Sequence, residues 1–378
     1  MHAVVTKSVW QIWEFPVADF LILARPDVPG LFILNQSARL IWELLRVVSS
    51  TEEAARELSL ACNIPVDLAS RYLEQTMAEW RSGLLSPRSA TPPPAGTPPC
   101  PSISHNAFSC DCHIANQRIR VVLHDPELLE EIAPRLEGLM TSSSDEIDCV
   151  FNVIRNENSF YIFRDSVLVA READICSIRA VLLQELVRTA RGDRDWLAVF
   201  HAGACGTTSR CVLFPANTHS GKTTLAAALM HRGLTFYCDD SAAIERNTLS
   251  VPVMPFALTI REGSWPVLSP RFPQLNSAPI VSRFGQRVRF LHPECADHTL
   301  SGQTAAIVFS SYQAGAKTGL LPFSTLETLL GLQESGFWVP HDRSSIQSFL
   351  DWIHSVPAYS LTYSDVDEAA TVVTDLLK

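Results

Sequence analysis

Residues Cys211 to His231, CVLFPANTHSGKTTLAAALMH, decide the reading of this chain. Cys211–Phe214 is an apolar run of strand length. Pro215 to Thr224 forms a loop that closes on Gly221-Lys222-Thr223. Leu225 to His231 is rich in Ala and Leu, is closed by Gly233, and reads as an amphipathic helix. A strand, a glycine-bearing loop and a helix with Gly-Lys-Thr at the junction follow the phosphate-loop pattern G-x-x-x-x-G-K-[ST], with Ala216 standing at the first glycine.

Each residue type there suits a polyphosphate. Gly221 permits a tight turn in which successive N–H groups point inward, and the helix start adds the positive end of its dipole. Lys222 supplies a point charge for the β- and γ-phosphates, and Thr223 a hydroxyl for Mg²⁺. The expected nucleotide site is therefore Ala216, Asn217, Thr218, His219, Ser220, Gly221, Lys222, Thr223 and Thr224, with ATP and Mg²⁺ as ligands. Leu234–Cys238 follows as a strand and ends on Asp239-Asp240. Two carboxylates at such a strand end can divide the labour between a metal and a hydroxyl proton, and their repulsion raises at least one proton affinity. Upstream, the apolar run Trp196–His201 ends on a histidine.

The spacing resembles a known family. His201 lies 21 residues before Lys222 and Asp239 lies 17 after it, with Arg232-Gly233 preceding the acidic pair. Over residues ~196–264 this resembles the catalytic domain of HPr kinase/phosphorylase, a P-loop fold of the PEP carboxykinase-like kind. The resemblance implies transfer of the ATP γ-phosphoryl group to a serine of a protein. It implies Asp239 as the base facing the acceptor hydroxyl, Asp240 and Thr223 as Mg²⁺ ligands, and His201 as a residue tuning the acids. Thr224 stands where the family has Glu, and Thr259-Ile260-Arg261-Glu262 aligns with the family's Glu-Ile-Arg-Gly. Glu262 is then the substitute metal ligand, and Arg261 joins Lys222 as a catalytic cation. These departures separate the chain from reverse phosphorolysis and from HPr as substrate. Through LTIREGSW (258–265) and PAYSLTYSDVDEA (357–369) it is similar to the HPr-kinase-related peptide kinases of the lasso-peptide type. Arg283, Arg287 and Arg289 are further candidates for stabilising the phosphoryl group.

Working outward, SPRSATPPPAGTPPCP from Ser86 to Pro101 is too proline-rich for a helix and reads as a semi-rigid spacer. It divides the chain into a module over 1–85, a linker over 86–102 and a body over 103–378. The module opens with strand-like runs Val9–Phe15, Phe20–Leu23 and Leu31–Leu34. Helices follow over Asn35–Val48, from Ser50 to Leu60 behind a Ser50/Glu53 capping box, and from Pro65 to about Gly83. On the third, Leu68, Tyr72, Leu73, Thr76 and Trp80 share a face. Through LFILNQSARLIWELL, TEEAAREL and LEQTMAEWRSGLL this winged-helix-like order resembles the PqqD-like peptide recognition domains. That resemblance implies a leader peptide added as a strand between the third strand and third helix, at Phe32, Leu34, Arg71 and Tyr72. In the body, Arg118–Leu123, Asp148–Ile154, Ser159–Arg164, Val167–Ala170 and Ile307–Phe309 read as strands. Pro126–Met140, Ile175–Arg191, Ser344–His354 and Val366–Leu377 read as helices.

Composition narrows the partners. Of 378 residues, 47% are hydrophobic and 19% charged, which supports packed cores in an α+β or α/β fold. A formal net charge of −10 argues against nucleic-acid binding, and Arg71 and Arg81 on the third helix are opposed by Glu74 and Glu79. No apolar run approaches the ~20 residues of a membrane span, and no secretory pattern opens the chain, so a cytoplasmic protein is expected. The ten cysteines then read as reduced, and Cys110-Asp111-Cys112-His113 as incidental thiols without a completing metal motif. The expectation is an ATP-dependent kinase for a Ser or Thr of a ribosomally made precursor peptide, recruited through its leader. Alternatives are a small-molecule kinase with a regulatory N-terminal module and a non-catalytic nucleotide-binding peptide chaperone. A homo-oligomer stays open.

Overall fold

The computed structural model describes residues 11–85, 98–100, 107–114, 117–142, 146–190, 195–215, 220–283, 285–293 and 299–378. Most of the proline-rich spacer and the loop residues Ala216, Asn217, Thr218 and His219 therefore lie outside the described residues. The protein is mixed α+β, with ten α-helices and five sheets among the described residues. Its contacts divide it into two compact units, residues 1–95 with 340–348, and residues 96–339 with 349–378.

In the first unit, strands Trp13–Val17, Phe20–Arg25 and Val28–Leu34 form an antiparallel sheet in sequence order. Helices Gln36–Val47, Thr51–Cys62 and Val66–Ser82 follow. Asn35 caps the first helix by accepting from the Ala38 N–H at 2.9 Å. Ser50 caps the second by accepting from the Glu53 N–H at 3.1 Å. Glu53 reaches back one residue further than a capping box requires, to the Ser49 N–H at 2.9 Å. The third helix buries Ala69, Leu73, Met77 and Trp80. Tyr72 is 49% exposed instead of sharing that face, because the i, i+4, i+8 row through Ala69 brings the helix closest to its neighbours. Trp80 packs edge-on against Trp42 with centroids 5.5 Å apart.

The second unit begins with a five-stranded sheet in the order Phe108–Ile114, Gln117–Leu123, Cys149–Asn156, Ser159–Arg164, Val167–Glu172. The helix predicted over 126–140 ends at Leu136, and a 3₁₀ turn covers Glu137–Leu139. Its buried face holds Leu128, Ile132 and Leu136, with Arg135 among them. Helix Ile175–Ala190 packs on the same sheet. The Cys110 and Cys112 side chains are buried on one face of the first strand with sulfurs 3.9 Å apart. Asp111 on the opposite face binds Arg118 and Arg120.

A seven-stranded sheet carries the rest. Its order is Thr235–Cys238, Ala202–Gly206, Arg210–Pro215, Ser301–Tyr312, Ala358–Tyr363 and Gly319–Phe323, with Ser250–Pro252 also paired to Ser301–Tyr312. Ala202–Gly206, which the sequence reading missed, runs antiparallel to both neighbours. Arg210–Pro215, Ser301–Tyr312 and Ala358–Tyr363 are mutually parallel. Thr235–Cys238 therefore points the same way as those three, and four strands present their C-terminal ends along one edge. Ligands bind at that edge in open α/β sheets.

Helix Lys222–His231 lies on this sheet and differs from the amphipathic expectation. Leu225, Ala226, Ala227, Ala228 and Leu229 are all buried, and a helix apolar on every side is one covered on every side. The small alanines admit helix Val366–Asp375 and strand Leu258–Arg261 against it. Full burial of Leu225 alone contributes ~1.5–3 kcal/mol.

Candidate active site

The loop end is built tightly. Gly221 has φ +89°, a conformation that L side chains rarely adopt, and a Cβ there would lie 2.3 Å from the Tyr363 hydroxyl. The Tyr363 hydroxyl donates to the Gly221 carbonyl at 3.2 Å, and the Tyr312 N–H donates to the Ser220 carbonyl at 3.0 Å. The two tyrosines end parallel strands of the sheet and stack edge to face at 5.9 Å. The helix then starts at Lys222, whose N–H donates to Ser220 Oγ at 3.4 Å, while the Leu225 N–H closes the first turn on the Gly221 carbonyl.

The acidic pair comes from the neighbouring strand. Thr235–Cys238 ends, Asp239 and Asp240 turn, and Ala242–Glu245 leaves to pair antiparallel with Trp196–Phe200. That pairing sets Ala242 opposite Phe200 and brings His201 beside the acids. The Thr223 hydroxyl donates to both Asp239 carboxylate oxygens, at 3.0 and 3.1 Å. Lys222 Nζ donates to the Asp239 carbonyl and lies 3.5 Å from the Asp239 carboxylate and 3.4 Å from that of Asp240. Thr223 is thus bound to the residue expected to be the base, whereas Asp240 is bound by Arg135 Nη1 at 2.7 Å. Asp239 is 7% exposed, while the Asp240 side chain keeps 28% of its surface open.

The environment drives the two acids apart. Burial raises the proton affinity of Asp239 and is only partly offset by Lys222. Desolvation opposes the charge on Asp240 too, but Arg135 and then Lys222 outweigh it and hold that carboxyl far below the ordinary range. Desolvation likewise opposes the Lys222 charge, and the two aspartates overcome it, so the ammonium persists. His201 is held below its ordinary value by the protein around it and then by Lys222, which keeps the ring neutral near pH 7.

The far wall is strand Leu258–Arg261 and the turn Glu262–Ser264. The Thr224 and Ser264 hydroxyls are 2.7 Å apart, tying the turn to the start of the loop helix. The cavity between these walls is about 940 Å³ and is lined by His201, Ser220 to Thr224, Asp239, Asp240, Arg261 and Glu262. The structure therefore brings His201, Ser220 to Thr224, Asp239, Asp240, Arg261, Glu262 and Arg287 onto one cavity, whereas Arg289 is not on its wall. Glu262, expected as the substitute metal ligand, lines the same cavity, and its carboxylate pairs with Arg287 on the exposed side. Arg287 and Arg289 stack over Trp265, at 5.4 and 4.3 Å, which gives both a packing role. The Arg283 side chain lies outside the described residues.

Sequence reading missed Arg135, Arg179, Thr259, Tyr312 and Tyr363, all on the cavity wall. Only Arg135 carried a signal, as an arginine beside the apolar stripe Leu128, Ile132, Leu136. Of the expected peptide-binding residues in the first unit, Tyr72 is exposed and Arg71 is exposed and paired with Asp67 at 3.0 Å. Phe32 is half-buried against the core. Leu34 is 2% exposed and belongs to that core, which corrects its assignment to a peptide surface.

Among the described residues no group of three or more His, Cys, Asp and Glu converges as a protein-only metal site. Mg²⁺ seldom needs one, since it takes one or two carboxylates and completes its shell with phosphate and water oxygens. The Thr223 hydroxyl and the Asp239 and Asp240 carboxylates are donors of that hard kind. Among the described residues no helix is long and apolar enough to cross a membrane. Comparison with known protein families and with curated proteins returned no match.

Proposed function

We propose that the chain is an ATP-dependent kinase that phosphorylates a Ser or Thr hydroxyl of a ribosomally made precursor peptide held through its leader. In this reading the second unit carries an HPr-kinase-like phosphate-loop domain and the first a PqqD-like winged-helix recognition domain. The observation that carries it is the meeting of the loop-helix start, Lys222, Asp239, Asp240 and His201 on one cavity. The cavity volume falls within the range of small-molecule sites, and its cationic side chains outnumber carboxylates five to three, which suits an anionic ligand.

The chemistry follows from the side chains. Lys222 leaves the Asp239 carbonyl for the β- and γ-phosphates when nucleotide enters, taking its charge with it. Asp239, of the two acids the one with the higher proton affinity, takes the proton of the acceptor hydroxyl. The acceptor oxygen bonds to the γ-phosphorus as the bond to the β,γ-bridging oxygen breaks, and ADP leaves. Thr223 and Asp240 would hold Mg²⁺, which when bound neutralises charge on the phosphate oxygens. Arg261 lines the cavity where it can offset charge on the transferring group.

Recruitment is supported by the sheet of the first unit. Among the described residues strand Val28–Leu34 pairs on one side only, with Phe20–Arg25. Its other edge offers unpaired backbone groups to an added peptide strand, with Phe32 and Tyr72 as apolar contacts. Tethering raises the local acceptor concentration, so the cavity itself needs little affinity for the peptide.

The test is transfer from [γ-³²P]ATP, with Mg²⁺, to Ser- and Thr-containing peptides carrying a hydrophobic leader. Lys222→Ala and Asp239→Asn should each abolish labelling, and retention of wild-type labelling by either variant would refute the site. Tight ATP binding with no transfer to peptide, small alcohols or water would favour the non-catalytic chaperone. Labelling of small alcohols without any leader effect would favour the small-molecule kinase.

A further inference from the structure

Resting on that reading, we infer that Arg135 is a positioning residue of the phosphoryl-transfer site, holding Asp240 and the Thr259 strand in one fixed arrangement. Arg135 is 2% exposed, on the buried face of helix Pro126–Leu136, and comes from a part of the chain 87 residues before Lys222. Its guanidinium forks. Nη1 donates to Asp240 Oδ2 at 2.7 Å and Nη2 donates to Thr259 Oγ1 at 2.7 Å. Its own carbonyl accepts the Ala257 N–H at 3.2 Å, just ahead of the strand that carries Thr259 and Arg261.

This geometry does more than fill space. Packing alone would put a leucine on that face, and a guanidinium there has to be compensated by its partners. Arg135 grips one oxygen of Asp240 and leaves the other turned toward Lys222. One rigid fork thereby joins the acidic turn on one wall of the cavity to the strand on the other. A lysine preserves the charge but, as a point donor, does not reproduce the fork. Misplacement of a reacting group by about 1 Å costs on the order of 10²-fold in rate.

The experiment uses the full chain with Arg135→Gln, Arg135→Lys and Thr259→Val. Three quantities are read on each: the Kd for MgATP, the single-turnover rate of γ-phosphoryl transfer to whichever acceptor the wild type uses, water included, and the melting midpoint. The expected result is a Kd within about threefold of wild type. The rate should fall about 100-fold for Arg135→Gln and about 10-fold for Arg135→Lys and Thr259→Val. Rates unchanged in Arg135→Lys and Thr259→Val would overturn the assignment, as would loss of rate, affinity and melting midpoint together in all three variants. A wild type that transfers phosphate to no acceptor would overturn the proposed function, and this assignment with it.

Discussion

Gly221→Ala tests the loop directly. The Cβ enters at φ +89° and 2.3 Å from the Tyr363 hydroxyl, with Tyr312 Cβ at 3.2 Å. An L residue in left-handed backbone costs roughly 1–2 kcal/mol. Tyr363 is fully buried at the end of its strand and has little room to retreat, so its bond to the Gly221 carbonyl is lost, at ~0.5–1.5 kcal/mol. Together these come to about 1.5–3.5 kcal/mol, or roughly a 10- to 300-fold loss of MgATP affinity if the distortion falls on the phosphate grip. Whatever strain stays in the folded chain instead lowers the melting midpoint by about 2–4 °C per kcal/mol. Isothermal titration with MgATP and a thermal melt separate the two. Adding Tyr363→Phe removes the closest clash but restores neither the hydrogen bond nor the relaxed backbone, so affinity should stay below the wild-type value. If Gly221→Ala binds MgATP within about twofold of wild type and melts at the same temperature, the reasoning about this turn is wrong.

The other expectations follow from burial and charge. Asp239→Asn should abolish transfer yet raise the melting midpoint at pH 8. The Asp239 carboxyl binds its proton more tightly folded than unfolded, so its ionised form costs stability above the folded pKa and ceases to as pH falls through that value. The gain should therefore shrink toward pH 4, and a lower midpoint at pH 8 would count against it. Asp240 has the opposite sign: its pairing with Arg135 stabilises above the ordinary carboxylate range and is lost only in strong acid. Leu34→Ala should cost ~2–5 kcal/mol in urea titration, whereas Tyr72→Ala should stay within about 0.5 kcal/mol and weaken leader-peptide binding instead. In thiol labelling of the folded chain, exposed Cys62 should react well before Cys205, Cys211 and Cys238, whose burial pushes their thiols up.

Much of the site is legible in the sequence. The strand, the Gly-Lys-Thr turn and the helix after it are contiguous, and each announces itself through composition over a few residues. Asp239 and Asp240 were legible because they follow the next strand in the chain. The second helix of the first unit was legible through its cap at Ser50, which acts over three residues, whereas the Asn35 cap of the first helix is shown only by the structure. The face of the third helix was misread because Ala69 and Met77 are less conspicuous than Tyr72, and only the neighbouring elements decide which side is covered.

The sequence alone determined that a strand, a Gly-Lys-Thr turn and a helix follow one another and that two acids end the next strand, since backbone propensity and turn chemistry operate locally. Tertiary structure decided what surrounds them. Pairing of Arg210–Pro215 with Ser301–Tyr312, and of that strand with Ala358–Tyr363, brings Tyr312 and Tyr363 onto Gly221 from 91 and 142 residues away. Packing of helix Pro126–Leu136 beside the sheet brings Arg135 onto Asp240 and, by the same stroke, explains an arginine on an apolar face. Strand order and helix docking are settled by the summed burial of many side chains, a quantity that no short window of sequence contains.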